Sequence, residues 1–430
     1  MKIKTTLLFS FIAITISVFA CNKDDGNTNS VTPPDTTNPP STSSKQHVIL
    51  VSVDGFRHDY TEMINTPNFD RIVNEGLKAE NLVPVFPSKT FPNHLSLVTG
   101  LHPENHGIIM NTFYNEEGDK YSISSDAVKD AKWYQGEPIW VTAEKQNVKT
   151  ATYFWPGSEA PIQGVRPSIW KPYNGNIANT TRVDTALNWL DLPEAERPQF
   201  ISLYFSIVDS AGHRYGPVSD EVKNTIGHID FLLGRLYDGI KNHDLAENIQ
   251  LIIVSDHGMA QLSRDKMVFY DDYIDENEVS FNGNYSPVGT ITVNDSSKKM
   301  EIYNQLKDVN PHMKVYLKEE VPAELHYSNH PFIADIITVA ESGWSMTTRD
   351  FFEDRPYSFT GGTHGYDPFD GEDMHGIFIV NGSKFKKEII PSYNTVDLYE
   401  LMCSILEIEP ANNDGNQEKA LQILKQTTEN

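Results

Sequence analysis

The stretch "HVILVSVDG" at residues 47–55 decides the fold expected for this chain. It is a continuous apolar run rich in Val and Ile, which is typical of a strand buried on both faces in a parallel sheet. Similar apolar runs recur at 149–155, 200–208, 249–255 and 376–381. Helix-like stretches lie between the runs, at 66–76, 92–100, 180–191, 219–241 and 395–406. This alternation predicts a doubly wound α/β fold, with a mostly parallel sheet and helices on both faces.

The length of the chain bounds its domain organisation. Its 430 residues are enough for one large domain or two medium ones, each with a substantial core. Residues 47–430 are predicted to form one domain. Within them the segment from about 265 to 360 is less regular and rich in Asp, Asn and Tyr, so we expect a small inserted α+β region there.

The amino terminus is typical of an exported protein. Two lysines precede the apolar run Leu7–Ala20, so residues 1–20 are interpreted as a signal peptide, and the run is too short to span a bilayer. "SVFAC" places a small residue before Cys21 and resembles a bacterial lipoprotein processing site, with Cys21 as the acylated residue. Plain secretion is the alternative.

The segment after the cysteine is predicted to be a tether. Residues 21–46 are mostly Asn, Asp, Thr, Ser and Pro, a composition that buries too little apolar surface to fold. Together with the lipid anchor, this predicts an outer membrane lipoprotein that faces the periplasm or the cell surface. The anchor is the only membrane contact expected.

Net charge limits the possible partners. At −24 the chain is strongly acidic, which argues against binding of nucleic acid polymers through their phosphates. A phosphate substrate would have to be captured locally, and divalent cations can do this in an acidic protein. No protein partner is inferred from the sequence.

Acidic side chains follow three of the apolar runs. Asp54 ends the first run, Asp209 ends the run at 200–208, and the pair Asp256 and His257 follows the run at 249–255. Ligands of open α/β sheets bind beyond the carboxyl ends of the strands. We therefore expect these side chains to converge on one edge of the sheet.

Two further histidines have a placement that suits metal binding. His213 lies four residues after Asp209, and His364 lies in the glycine-rich "GGTHGYDP". Asp and His side chains are ligands of zinc. The set of six acids and histidines predicts two neighbouring metal ions, an arrangement used for displacement at phosphorus. Each residue alone would more often be a cap, a turn or a core residue.

Thr90 is the candidate nucleophile. It lies in "PVFPSKTFPNHLSLVTG", residues 84–100, directly before a predicted helix. The amide groups and the positive dipole at the start of a helix favour a phosphoryl group there. Metal coordination can activate a hydroxyl that is otherwise a poor nucleophile. The alternative is an ordinary N-cap with Pro92 in the first turn.

Six motifs carry a family resemblance. They are "VSVDGFR", "PSKTFPNHLSLVTGLHPENHGII", "WPGSE", "DSAGHRYGP", "SDHGM" and "GTHGYD". In order across roughly residues 47–410, they closely resemble the ecto-nucleotide pyrophosphatase/phosphodiesterase family of the alkaline phosphatase superfamily. The resemblance implies an alkaline-phosphatase-like fold and two Zn²⁺ per chain.

The resemblance also implies individual roles. Asp54, Asp256 and His257 match the ligands of the zinc ion that holds Thr90. Asp209, His213 and His364 match the ligands of the second zinc ion. Asn111 matches the asparagine that donates to a phosphoryl oxygen. His94, His102 and His106 are expected to hydrogen-bond near the site without binding metal, and His375 is not expected to bind metal.

Three aromatic residues resemble the family's nucleobase site. Phe91 and Tyr173 match the two rings between which a base is held, and Trp155 is expected nearby. Stacking on aromatic rings accepts any base. The alternative is that these side chains, above all Tyr173 and Trp155, belong to the core.

The resemblance implies hydrolysis of nucleotide phosphodiester and pyrophosphate bonds, with a dinucleotide or nucleotide as substrate. A covalent nucleotidyl-threonine would form, and nucleoside 5′-monophosphate would be released. The first alternative is a phospholipase-C-like choline phosphodiesterase of the same family, in which an aromatic site holds a quaternary ammonium. A phosphomonoesterase and a binding module with a degenerate site are weaker alternatives.

Overall fold

A computed structural model describes residues 45–282 and 285–425. The predicted signal peptide, Cys21 and all but the last two residues of the predicted tether lie outside these ranges. Within the described part of the chain, the structure contains no helix with the length and apolar character needed to cross a bilayer.

An eight-stranded sheet forms the centre of the fold. Its strands are β1 His47–Val53, β2 Leu77–Ala79, β3 Thr150–Tyr153, β4 Ile169–Lys171, β5 Phe200–Phe205, β6 Ile249–Val254, β7 Phe378–Asn381 and β8 Ile389–Ile390. Their order across the sheet is β8-β2-β7-β6-β1-β5-β3-β4. β1 therefore lies in the interior of the sheet, between β6 and β5.

The pairing within this sheet is mostly parallel. β1 is parallel to both of its neighbours, with Val51 opposite Leu203 on β5 and Ile253 on β6. β7 is antiparallel to both β6 and β2, whereas the remaining pairs are parallel. The predicted doubly wound, mostly parallel α/β fold is confirmed.

Helices cover both faces of the sheet. The described helices are α1 Pro67–Asn74, α2 Thr90–Thr99, α3 Pro103–His106, α4 Ile139–Lys145, α5 Asn179–Leu190, α6 Ile207–Tyr215, α7 Asp220–Lys241, α8 Lys299–Leu306, α9 Arg349–Glu353, α10 Leu398–Leu406 and α11 Gln417–Leu421. Apolar side chains of α2, α4 and α10 form a core with Val48 and Leu50 of β1. Those of α1, α5 and α7 form a second core with Ile49, Val51 and Val53. Since successive side chains of a strand point to opposite faces, these two cores explain why β1 is apolar on both faces apart from His47 and Ser52.

The less regular segment at 265–360 contains a separate small sheet. Its four strands pair antiparallel and run in the order Val279–Phe281, Val288–Val293, Ile336–Ala340, Met313–Leu317. Its apolar residues and those of α8 form a third core. Four two-stranded ladders complete the described strands: Leu82–Val83 with Tyr393–Asn394, Thr112–Tyr114 with Lys120–Ser122, Ala260–Gln261 with Gly362–Thr363, and Met267–Phe269 with Ser345–Thr347.

The prediction that Asp209 ends a strand is wrong. β5 ends at Phe205, and α6 begins at Ile207, so Asp209 lies in the first turn of a helix. The apolar pair Ile207 and Val208 made the strand look longer, because a short apolar run does not distinguish a strand from the start of a helix. The helix places Asp209 and His213 on one face, since residues four apart are neighbours on a helix surface.

The position of β6 generates a prediction about stability. Ile252 of β6 is 0% exposed, whereas Ile389 of the edge strand β8 is 71% exposed. Ile252→Ala should lower the free energy of unfolding by about 2–5 kcal/mol, because it leaves a cavity in the core. Ile389→Ala, the matched control in the same sheet, should change it by less than about 0.5 kcal/mol. Urea unfolding followed by tryptophan fluorescence measures both, and equal losses would contradict the burial described here.

Candidate active site

The end of β1 meets the start of α6. Asp54 follows β1, and its backbone carbonyl oxygen accepts a 3.0 Å hydrogen bond from the Asp209 N–H. Gly55 has a φ of +69°, and a Cβ there would lie 2.8 Å from the Asp209 Cα. Only glycine combines this backbone conformation with so close an approach. The two carboxylates are thereby held at one edge of the sheet.

Two groups of three metal-ligating side chains lie at this edge. Asp54, Asp256 and His257 form one, and Asp209, His213 and His364 form the other; within each group the ligand atoms lie within 4.8 Å of one another.

In the first group, His257 Nε2 is 3.0 Å from Asp256 Oδ2 and 3.4 Å from Asp54 Oδ1. In the second, Asp209 Oδ1 is 3.2 Å from His213 Nε2 and 3.7 Å from His364 Nε2. The rings of His257 and His364 stack with centroids 3.5 Å apart, so the two groups are neighbours.

Main-chain carbonyl oxygens orient the three histidines of these groups. His257 Nδ1 lies 2.8 Å from Gly258 O, His213 Nδ1 lies 2.9 Å from Gly362 O, and His364 Nδ1 lies 2.8 Å from Ser88 O. A carbonyl oxygen only accepts, so each Nδ1 carries the proton and each Nε2 keeps a lone pair. All three lone pairs are therefore available to a metal ion, which is the arrangement that fixes metal-binding histidines.

The carboxylates offer oxygen atoms that have no hydrogen-bond partner within residues 45–282 and 285–425. These buried atoms are Asp54 Oδ1, Asp209 Oδ1 and Asp256 Oδ2. Burial and the charges of Asp256 and Asp209 raise the pKa of the Asp54 carboxyl well above its usual range. A buried carboxylate without a partner is costly, and a divalent cation removes that cost.

Burial and neighbouring charges set the protonation states of Asp256 and His364. Burial alone would raise the pKa of the Asp256 carboxyl, but the positive charges of His257 and His94 in their protonated forms outweigh it and hold this pKa well below its usual range. Burial lowers the pKa of His364, which favours its neutral form. Ionised carboxylate and neutral imidazole are the forms that bind zinc. The donor set of the two groups therefore suits a pair of divalent cations.

Thr90 is the first residue of α2, with Lys89 as the N-cap. Its Oγ1 lies 3.4 Å from His257 Nε2, which places the hydroxyl beside the first group. Lys89 is half-buried, and its Nζ donates a 2.6 Å hydrogen bond to the carbonyl oxygen of His364. Burial lowers the pKa of Lys89 to about 8, although the charge of Asp209 opposes this. Lys89 thus ties the start of α2 to the loop of the second group.

Asn111 lies next to the start of α2. Its Oδ1 accepts a 3.0 Å hydrogen bond from the backbone N–H of Phe91. This contact fixes the amide plane, so the Nδ2 group is left as the donor for another partner.

A cavity of about 680 Å³ opens over Asp54, Thr90 and Asp209. Phe91 and Tyr173 both line it, and Tyr173 is 53% exposed. Trp155 also lines it, but the indole is only 1% exposed and its N–H donates a 3.2 Å hydrogen bond to the His94 carbonyl oxygen. Trp155 therefore contributes an edge of the cavity wall, whereas Tyr173 offers an exposed ring that rests against Phe154.

Several residues of the site were missed in the sequence analysis. The Tyr204 hydroxyl donates a 2.5 Å hydrogen bond to Asp54 Oδ2. Glu159 and Lys129 line the cavity, and Glu159 Oε1 accepts a 2.9 Å hydrogen bond from the Tyr173 N–H. Tyr204 had a signal, because a phenol in an otherwise apolar strand needs a hydrogen-bond partner. The sequence gives no indication that Lys129 lines a cavity, since a lysine in a loop is ordinarily solvated.

Four other histidines do not join the two groups of ligands. His94 Nδ1 lies 3.3 Å from Asp256 Oδ2 of the first group, but His94 is a member of neither group. His106 Nε2 lies 3.1 Å from the carbonyl oxygen of Pro92 in α2. The ring of His102 stacks on that of His326, with centroids 3.9 Å apart. His375 Nε2 lies 2.9 Å from the carbonyl oxygen of Pro368.

Comparison with known proteins identifies the family of this chain. The profile of the family described as type I phosphodiesterase / nucleotide pyrophosphatase matches residues 48–367. Ectonucleotide pyrophosphatase/phosphodiesterase family member 3 of Bos taurus is 38% identical over 389 residues, which are 88% of this chain and 44% of that protein. Venom phosphodiesterase 2 of Crotalus adamanteus is 36% identical over 401 residues, which are 90% of this chain and 48% of that protein. The chain spans about half the length of these curated relatives.

A solved structure is similar as well. Murine ectonucleotide pyrophosphatase/phosphodiesterase 5, an inactive threonine-to-alanine variant in complex with AMP, superposes with a TM-score of 0.83 at 32% identity. The match covers 89% of this chain and 100% of that one. The fold, the matched motifs and the two groups of ligands have one common explanation: the chain belongs to the type I phosphodiesterase/nucleotide pyrophosphatase family.

Proposed function

We propose that this protein hydrolyses nucleotide phosphodiester and pyrophosphate bonds with the aid of two zinc ions and releases nucleoside 5′-monophosphate. The observation that carries the proposal is the meeting of three histidine Nε2 atoms and three carboxylates at one edge of the sheet. Thr90 Oγ1 lies beside them. Zinc ions bound there would lower the pKa of a hydroxyl or water and stabilise the departing oxygen.

Thr90 and Asn111 have separate roles in the proposed reaction. Thr90 Oγ1, after its hydroxyl proton passes to solvent, bonds to phosphorus as the bond from phosphorus to the leaving-group oxygen breaks, which gives a covalent nucleotidyl-threonine. The leaving-group oxygen departs with a negative charge or takes a proton from water. A water oxygen then bonds to phosphorus as the bond to Thr90 breaks. The Asn111 Nδ2 group, oriented by its contact with the Phe91 N–H, donates to a phosphoryl oxygen as charge develops on it.

The cavity supports a nucleotide as substrate. Phe91 and Tyr173 line it together with Trp155, and aromatic rings of this kind stack on a nucleobase. The AMP in the similar murine structure supports the same substrate class. The choline phosphodiesterase is the alternative, and paired substrates separate the two.

We also propose that the chain is a lipoprotein anchored through Cys21 and facing the periplasm or the cell surface. The support is the signal-like run before Cys21 and the polar composition of residues 21–46. Such a tether would keep the domain near a membrane without any spanning segment.

The nucleophile can be tested by substitution. Thr90→Ala should lower kcat by at least about 10³-fold, because the group that bonds to phosphorus is gone. Thr90→Ser keeps a hydroxyl and should retain measurable turnover. Mass spectrometry of the quenched wild-type enzyme should detect a nucleotide adduct on Thr90. Full activity of Thr90→Ala would remove the proposed mechanism.

Metal content gives a second test. Chelation should abolish turnover and added zinc should restore it, with about two zinc ions bound per chain. Asp256→Asn and Asp209→Asn should each reduce the bound zinc to about one ion per chain, because each removes a ligand from a different group. Elemental analysis checks the count, and activity that persists in zinc-free protein would contradict the proposal.

Substrate class can be tested with two aryl esters. Tyr173→Ala should raise KM for an aryl ester of thymidine monophosphate roughly 10-fold, since stacking contributes about 1–3 kcal/mol. Tyr357→Ala is the control, because Tyr357 is 91% exposed and lies outside the residues that line the cavity. Faster turnover of aryl phosphorylcholine by the wild-type enzyme would favour the alternative function.

A further inference from the structure

His94 is a buried histidine that the proposed reaction does not use. It lies in α2, one helical turn after Thr90, and its side chain is 0% exposed. We propose that His94 is a positioning residue, which locks the helix of the nucleophile onto the two strand ends that carry Asp54 and Asp256. This inference rests on the proposed function for the role of Thr90.

The contacts of the ring decide its tautomer. Nδ1 lies 2.8 Å from the Thr90 carbonyl oxygen, which can only accept, so Nδ1 carries the proton. Nε2 lies 2.8 Å from Ser52 Oγ and is then free to accept the serine hydroxyl proton. An uncharged ring thus satisfies both of its nitrogen atoms without binding a metal ion.

The same Nδ1 of His94 lies close to the Asp256 carboxylate. It lies 3.3 Å from Asp256 Oδ2, the oxygen that also lies 3.0 Å from His257 Nε2. The partial positive charge of the N–H therefore attracts the Asp256 carboxylate. Without it, a buried Asp256 oxygen would lose its contact with the helix of the nucleophile.

Ser52 connects the ring to the strand of Asp54. It is a 0% exposed polar residue in an otherwise apolar strand, on the face that packs against α2. A buried hydroxyl needs a partner, and the bond to His94 supplies it two residues before Asp54. One imidazole therefore reaches the helix of Thr90, the strand of Asp54 and the carboxylate of Asp256.

Aromatic side chains enclose the ring on two sides. The rings of Trp155 and Tyr204 both stand edge-on to His94, with centroids 5.1 Å away. Tyr204 in turn donates to Asp54, and Trp155 donates to the backbone oxygen of His94. The packing leaves His94 one orientation, which is what a positioning residue requires.

Paired substitutions test the proposal. His94→Asn can keep a donor near the position of Nδ1 but loses the contact with Ser52, whereas His94→Gln reaches towards Ser52 and loses the donor towards Asp256. His94→Gln should weaken one of the two bound zinc ions by about 10–100-fold, the usual effect of removing a group that orients a ligand. His94→Asn should recover most of that loss. Chelator competition measures both, independently of any substrate.

Kinetics supply a second readout. For the aryl nucleotide ester, kcat should fall in His94→Gln while KM changes by less than about 3-fold, because the cavity wall at Phe91 and Tyr173 is untouched. His106→Asn is the matched control, since His106 is 1% exposed and bonds to Ser96 and Pro92 in the same region. It should leave zinc affinity unchanged.

Three outcomes would overturn the proposal. They are unchanged zinc affinity and kcat in His94→Gln, a loss of the same size in His106→Asn, or no recovery in His94→Asn relative to His94→Gln. Failure of the proposed function would give a different result. Turnover by Thr90→Ala would contradict the role of Thr90, but it would not change the zinc affinities measured by chelator competition in the His94 variants.

Discussion

Repulsion among carboxylates is the constraint on which the site depends. Asp54 and Asp256 are 2% and 0% exposed, and Asp209 approaches them because Gly55 lets α6 pack on the end of β1. Three such groups are stable together only with a compensating positive charge. The folded domain therefore concentrates negative potential at the edge of the sheet where the two groups would bind divalent cations.

Much of the fold could be predicted from the sequence, because the central strands β1, β5 and β6 are mostly apolar runs. The run at 47–55 predicted β1, which the structure places at His47–Val53, and the two cores on its faces explain why apolar and polar residues do not alternate along it. Ile207 and Val208 were misassigned for the same reason. Apolar composition records burial and not backbone conformation, so the change from β5 to α6 left no trace in it.

The site was predictable where a residue type carries its own chemistry. Acids and histidines such as Asp256 and His257 stood out after an apolar run, and the structure brings them together. Glu159 and Lys129 did not stand out, because their place in the cavity follows from the course of loops. Ser52 was visible as a polar residue in an apolar strand, but its partner His94 lies 42 residues away in the chain, and only the tertiary structure pairs them.

The orientation of His257, His213 and His364 has a consequence for which substitutions the site tolerates. Their Nδ1 atoms bond to the main-chain oxygens of Gly258, Gly362 and Ser88, and every amino acid supplies such an oxygen. Replacement of a side chain at an acceptor position would not by itself abolish the acceptor. That tolerance is confined to Ser88, because a Cβ at Gly258 would lie 2.2 Å from the Asp373 carbonyl oxygen and a Cβ at Gly362 would lie 2.8 Å from the Gly212 carbonyl oxygen. At these two positions the backbone path that presents the acceptor itself requires glycine.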